Sequence, residues 1–115
     1  MGTSIDQLID VWETEIRRGA IQLLVCAVLA EKDMHGKEIC DTILEKTVNV
    51  IEVPLGTVYP LLRRFVNDNL IETYKPPEDR RKTIYTLNSL GEQYYLRMQE
   101  MWNRYSAAVY NVLDN

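Results

Sequence analysis

Apolar residues recur at three- and four-residue intervals from Ile16 through Leu29, and that spacing predicts an amphipathic helix. Its start is marked at Ser4, whose hydroxyl can cap while Gln7, three residues on, reaches back. Gly19 interrupts the pattern; it costs about 1 kcal/mol against Ala in a helix interior, which leaves open a kink or a later start near Trp12. Asp33 to Gly36 reads as a turn. A short second helix follows from about Gly36 to Lys46, with Ile39, Cys40, Ile43 and Leu44 on one face. Val48 to Val53, with the sequence VNVIEV, is rich in β-branched residues and predicts a short strand or extended link, ended by Pro54.

A third helix is predicted from about Leu55 to Asn69, with Val58, Leu61, Leu62, Phe65 and Val66 on its apolar side. Pro60 sits near its start, where the loss is read as a first-turn hydrogen bond, and Asn69 suits the left-handed residue that stops it. Two alternating segments, Leu70 to Lys75 and Lys82 to Leu87, flank Pro76, Pro77, Glu78, Asp79 and two arginines. They predict a β-hairpin with a basic, exposed tip. Asn88 is placed to cap a last helix, Ser89 to about Leu113. Along it Leu90, Tyr94, Met98, Met101, Tyr105, Ala108 and Val112 form a seam for which a lone domain of this size has no covering surface, so the seam calls for a partner chain. The expected fold class is mainly α with a small β-hairpin: a winged helix-turn-helix over residues 1–88, then a C-terminal dimerisation helix over 89–115.

At 115 residues the chain holds one core and leaves no room for a second catalytic lobe. Its longest apolar run, Ala20 to Ala30, is too short for a membrane span and is flanked by charges. Met1 to Asp10 lacks a basic leader region, so a cytoplasmic address is expected. Cys26 and Cys40 sit in apolar helical surroundings without metal-ligand spacing and read as reduced core thiols; no metal or cofactor is expected.

Net charge is −4, which by itself argues against a nucleic-acid partner, but its distribution argues for one. Residues 54–86 carry six basic and four acidic side chains, so the remaining chain carries seven basic and thirteen acidic ones. In a helix-turn-helix the second helix enters the major groove, and here its exposed face offers Gly56, Thr57, Tyr59, Arg63, Arg64 and Asn67. Arginine forks suit guanine edges, while hydroxyls and helix N-termini suit phosphates. Arg80, Arg81 and Lys82 at the hairpin tip are placed for the neighbouring backbone or minor groove. Taken without the order of elements, the same charges read equally as a solvated surface paired with Asp68, Glu78 and Asp79. An enzyme is not expected, because His35 has no paired nucleophile and reads as a cap, and no phosphate-cradling glycine loop occurs.

The stretches HGKEI (35–39), LGTVYPLLRRF (55–65), NLI (69–71) and RRKTIYTLNSLG (80–91) resemble the PadR family of winged-helix transcriptional regulators. That family's pattern has a His-Gly-Tyr-Glu-Ile stretch, a Gly-Thr-Leu-Tyr-Pro-x-Leu recognition helix and an Arg-x-Lys-Tyr-Tyr-x-Leu-Thr wing. The resemblance implies that Thr57, Tyr59 and Arg63 belong to the DNA-contacting helix and Arg81 and Lys82 to the wing, and it accounts for Pro60. Lys37 replaces the usual Tyr, and either touches phosphate or is simply solvated; Asn69 replaces Gly and Ile84 replaces the first wing Tyr. The single terminal helix is similar to that of the short branch containing multidrug-sensing repressors, in which a tryptophan stacks on flat aromatic compounds at the dimer centre. Trp102, eleven residues after Gly91, has the spacing of that tryptophan, and either takes such an effector or packs the dimer interface. Trp12 is expected against the partner's terminal helix, beside Tyr94, Met98, Met101 and Tyr105.

The expectation is therefore a homodimeric repressor on a pseudo-palindromic double-stranded operator, released by a planar aromatic effector, with no membrane partner. The rival is a winged-helix dimer serving as a small-molecule or protein-binding module without specific DNA binding.

Overall fold

The computed structural model describes residues 2–114; Met1 and Asn115, the outermost residues of the two expected segments, lie outside the described residues. Six elements follow one another: α1 (Ile5–Glu31), α2 (Gly36–Lys46), α3 (Leu55–Asn67), β1 (Ile71–Tyr74), β2 (Ile84–Leu87) and α4 (Ser89–Leu113). The Ser4 hydroxyl accepts from the Gln7 amide at 3.1 Å and the Gln7 side chain accepts from the Ser4 amide at 2.9 Å, so both free donors are satisfied where α1 begins. The helix then runs through Gly19 unbroken, which disposes of both a kink and a later start. At α2 the cap is His35, whose Nδ1 accepts from the Glu38 amide at 3.3 Å.

Residues 48–53, expected as a short strand or extended link, form no strand and begin with a turn. Val48 and Asn49 have φ of 54° and 64°, and two successive left-handed residues turn the chain instead of extending it. The turn is stabilised locally. Thr47 donates its hydroxyl to the Ile43 carbonyl and accepts from the Ile51 amide, and the Asn49 amide donates to the Leu44 carbonyl at 2.9 Å. Val48 and Val50 are left 79% exposed, and of this segment Val53 is the residue that reaches the core. Helix α3 ends two residues earlier than expected, but by the expected device: Asn69 has φ 61° and the Leu70 amide closes on the Phe65 carbonyl. Pro60 lies in the second turn of α3, so the bond it forfeits is the one to the Gly56 carbonyl rather than a free first-turn donor.

Val25 and Cys26 of α1, Ile39 and Ile43 of α2, and Val58, Leu62 and Phe65 of α3 are sealed from solvent where the three helices meet. Both cysteines are free and buried, and burial pushes the Cys26 thiol up to about 12, so it stays neutral and unreactive. Strands β1 and β2 pair antiparallel with Ile71 opposite Leu87 and Tyr74 opposite Ile84. The turn between α1 and α2 lies along β2 through an isolated bridge, in which Met34 and Tyr85 exchange both backbone hydrogen bonds, at 2.8 and 3.2 Å. Among the described residues no helix is long and apolar enough to cross a membrane, and no group of His, Cys, Asp or Glu could hold a metal.

Helix α4 starts on the backbone of the α3–β1 turn. The Asn88 side chain accepts from the Gly91 amide at 2.9 Å and donates to the Asn69 carbonyl at 2.8 Å, while the Asn88 amide donates to the Leu70 carbonyl. A Cβ on Gly91 would stand 2.2 Å from that Leu70 oxygen and 2.6 Å from Leu87 Cδ1. Because one of those neighbours is backbone, Gly91→Ala should lower the unfolding free energy by roughly 2–4 kcal/mol, read from urea midpoints. Gly19→Ala meets nothing within 4 Å and should instead raise stability by up to about 1 kcal/mol.

Candidate nucleic-acid interface

Helix α3 buries Val58, Leu61, Leu62 and Phe65 and turns Thr57, Tyr59, Arg63 and Asn67 outward. Tyr59, Arg63 and Asn67 follow one another at four-residue intervals on one face, and Thr57 is exposed in the first turn, two residues ahead of Tyr59. Tyr59 is only part exposed because its ring lies over Gly36 at the head of α2: a Cβ on Gly36 would stand 2.6 Å from Tyr59 Cε1 and 2.8 Å from its hydroxyl. The glycine of HGKEI and the tyrosine of LGTVYP are thus one contact, joining the first helix of the motif to the second. Tyr85, on the wing strand β2, is close to the same group. Burial raises its phenol pKa and the nearby Tyr59 raises it further, while Arg63 opposes them. Tyr59 and Arg63 of the recognition helix thus lie near Tyr85 at the wing root.

The wing tip carries Arg80, Arg81 and Lys82, all exposed. Arg81 is 92% exposed on its side chain and bonds Asp79 through Nε at 3.1 Å, and this bond, with one from the Arg81 amide, holds the Asp79 carboxyl below its ordinary range. At the opposite edge of the surface Lys37 pairs with Asp41 at 3.0 Å across one helical turn. Exposed pairs of this kind are worth about 0–1 kcal/mol, so either cation can exchange its carboxylate for a phosphate.

Arg64 is the exception among the residues the sequence assigns to this face. Its guanidinium turns back to α1, donating to Gln22 Oε1 at 2.7 Å and lying over the Phe65 ring at 5.4 Å. Helical spacing puts Arg63 and Arg64 a hundred degrees apart, and the second falls at the margin where α1 offers an acceptor. Two further ties join distant segments: Arg17 donates to the Glu52 carbonyl, and the Tyr74 hydroxyl donates to Asp33 at 3.0 Å. None of the three pairs has a short-range signature in the sequence.

A second surface is apolar. Ile5, Ile9, Trp12 and Ile16 make an exposed stripe on the first half of α1, and Met101, Trp102, Tyr105, Val109 and Val112 another on the second half of α4. The six residues expected to gather around an effector divide. Tyr94 and Met98 are half-buried against the core, Tyr94 edge-on to Phe65 with ring centroids 6.1 Å apart. Met101 joins them along an open groove with Leu70, Leu90 and Leu96, whereas Trp12, Trp102 and Tyr105 stand outside it.

Three helices, a two-stranded wing behind the second and third of them, and an outward face of hydroxyls and guanidinium define a winged helix-turn-helix protein. Residues 25–97 match the model of the Transcriptional regulator PadR-like family, and the chain belongs to that family of transcriptional regulators. A transcriptional regulator from Clostridium thermocellum superposes with a TM-score of 0.79 at 26% identity, covering 84% of this chain and 96% of its own. A PadR family regulator from Clostridium difficile R20291 gives 0.70 at 25% identity over 81% of this chain and 97% of its own. One from Eggerthella lenta shares the fold at 0.79 and 21% identity over 96% of each chain.

The Gly36–Tyr59 contact can be isolated by a double-mutant cycle. Gly36→Ala should cost about 1 kcal/mol in urea unfolding, and most of that cost should vanish in a Tyr59→Ala background, where the ring it displaces is absent.

Proposed function

We propose that this regulator is a homodimeric repressor that binds a pseudo-palindromic operator in double-stranded DNA. The observation that carries the reading is the outward exposure of Thr57, Tyr59, Arg63 and Asn67 on α3 together with a wing whose exposed tip holds Arg80, Arg81 and Lys82. In this arrangement α3 lies in the major groove, Arg63 offers its fork to a guanine edge, Thr57 and Tyr59 present hydroxyls to phosphates, and the wing tip and Lys37 flank them on the backbone.

The apolar stripes on α1 and α4 supply the dimer. Each copy would cover the other's exposed Trp12, Met101 and Tyr105, and the two recognition helices would stand ~34 Å apart on one side of the duplex. Repression follows from occupation of the site against polymerase in the cytoplasm. The effector reading places a planar aromatic compound beside Trp102, between two copies, where methionine and tyrosine side chains offer polarizable, adaptable walls. Release requires that the compound favour a spacing of the two helices that DNA does not accept, since equal affinity for both would shift nothing.

Mobility shifts across a salt series test the DNA reading. Arg63→Ala should cost ~1–3 kcal/mol on the operator and relax discrimination between sites, while Arg81→Ala should weaken all sequences alike. Equal retardation of every fragment, or none at low salt, would instead favour a dimeric binding module without a specific site. The effector reading has its own measurement: planar aromatic cations should quench tryptophan fluorescence in the wild type, and Trp102→Ala should abolish the response with Trp12 retained as an internal reference.

A further inference from the structure

We propose that Arg17 and Arg64 are positioning residues that fasten the recognition helix to α1, so that α1 sets where α3 stands relative to the dimer; the inference rests on the DNA-binding reading above. The argument starts from packing. Helix α1 packs most extensively on α4, α2 and β2, and α3 on α2 and β1, so α1 and α3 share the core through side chains such as Val25 and Phe65 with little close backbone approach. Two arginines add ties at the margins of that core, in opposite directions. From α1, Arg17 donates to the carbonyl of Glu52, just before Pro54, whose own carbonyl accepts the Thr57 and Val58 amides that open α3. From α3, Arg64 donates to Gln22 of α1 at 2.7 Å and covers the Phe65 ring. One tie holds the entry to α3 and the other its third turn.

The anchoring residues on α1 are five positions apart, which puts them on the two edges of the face that carries Ile21 and Val25. Arg17 also pairs with Glu13 at 3.7 Å, one turn nearer the N-terminus, and its Nε is buried without a partner among the described residues. The exposed stripe of Ile5, Ile9, Trp12 and Ile16 lies about half a turn around α1 from Ile21 and Val25. The helix thus turns one side toward the second copy and the other toward the recognition helix, which it holds through the shared core and two guanidinium groups. A rotation or slide of α1 within the dimer is delivered to both ends of α3 together, which moves the recognition helix as a body without bending it.

The test separates positioning from phosphate contact. Gln22→Leu removes the acceptor of Arg64 without altering α3, and should weaken operator binding about tenfold while leaving the salt slope unchanged; Gln22→Glu, which restores an acceptor, should recover the affinity. Arg64→Ala should likewise lose affinity with its slope intact, and the double variant with Gln22→Leu should be no weaker than either single one. If Gln22→Leu binds as the wild type does and Arg64→Ala lowers the slope by about 0.9 per protomer, Arg64 is a phosphate contact and the proposal fails. A readout free of DNA covers the other tie and the case in which no fragment is bound. Amide exchange over residues 52–58 should quicken several-fold in Arg17→Met, and over 61–67 in Gln22→Leu, with β1 and β2 unchanged. Unaltered exchange in both variants overturns the ties whatever the DNA result, whereas quickened exchange in a protein that binds no operator upholds the ties and rejects only the DNA-binding reading.

Discussion

Phe65 and Leu62 of α3 meet Val25 and Cys26 of α1 and Ile39 of α2 in a contact closed to water, and the placement of every other element depends on it. Each fully buried side chain of this size contributes roughly 1.5–3 kcal/mol relative to exposure, which is what allows helices as short as α2 and α3 to persist. With α3 fixed there, the left-handed Asn69 directs the chain into β1, and the hairpin returns to deliver Asn88 and Gly91 onto the Leu70 carbonyl. The wing cannot shift without disturbing that seat. Its orientation beside α3 is therefore a consequence of core packing rather than of any interaction at its tip.

The helices of the sequence pattern appear almost residue for residue because their signals are local. Ser4 with Gln7, His35 before Glu38, and Asn88 before Gly91 are caps whose donors and acceptors lie three residues apart, and the structure forms each of them. The hairpin was legible for the same reason, its alternating segments being bounded by paired prolines. Where the reading erred, a non-local demand prevailed. VNVIEV has the composition of a strand, yet the chain must reverse between α2 and α3, and among the described residues no neighbouring strand pairs with it. Arg64 looked like a groove-facing cation because periodicity cannot say that Gln22, forty-two residues earlier, stands within reach of it. The outward α3 residues were legible through period alone, whereas the way the effector candidates split between core and surface was not, since it depends on how far α4 overlaps the core.

Charge takes on a different meaning once it is placed on the fold. Lysines on α2 and at the end of α1 are matched by acids on the same two helices, as in Lys46 with Glu31, Lys32 with Glu38 and Lys37 with Asp41. The wing has one comparable ion pair, Arg81 with Asp79, and three consecutive cations. An acidic protein with neutralised flanks and one basic projection orients itself in the field of a polyanion, and steering of that kind fades as salt rises.

The single bridge between Met34 and Tyr85 divides the wing into two mechanical parts. Its root is bonded to the turn between α1 and α2, while its outer loop is knit mainly to itself, Lys75 to Thr83 at 2.6 Å and Asp79 to both Pro76 and Lys82 through the backbone. The loop meets the helical body only at an open cleft, where Pro76 to Asp79 and Lys82 face Asp33, His35 and Glu38, so changes at residues 77–79 are felt there rather than in the core. Related chains can therefore vary residues 77–79 while inheriting both the basic stretch that follows them and an unchanged scaffold.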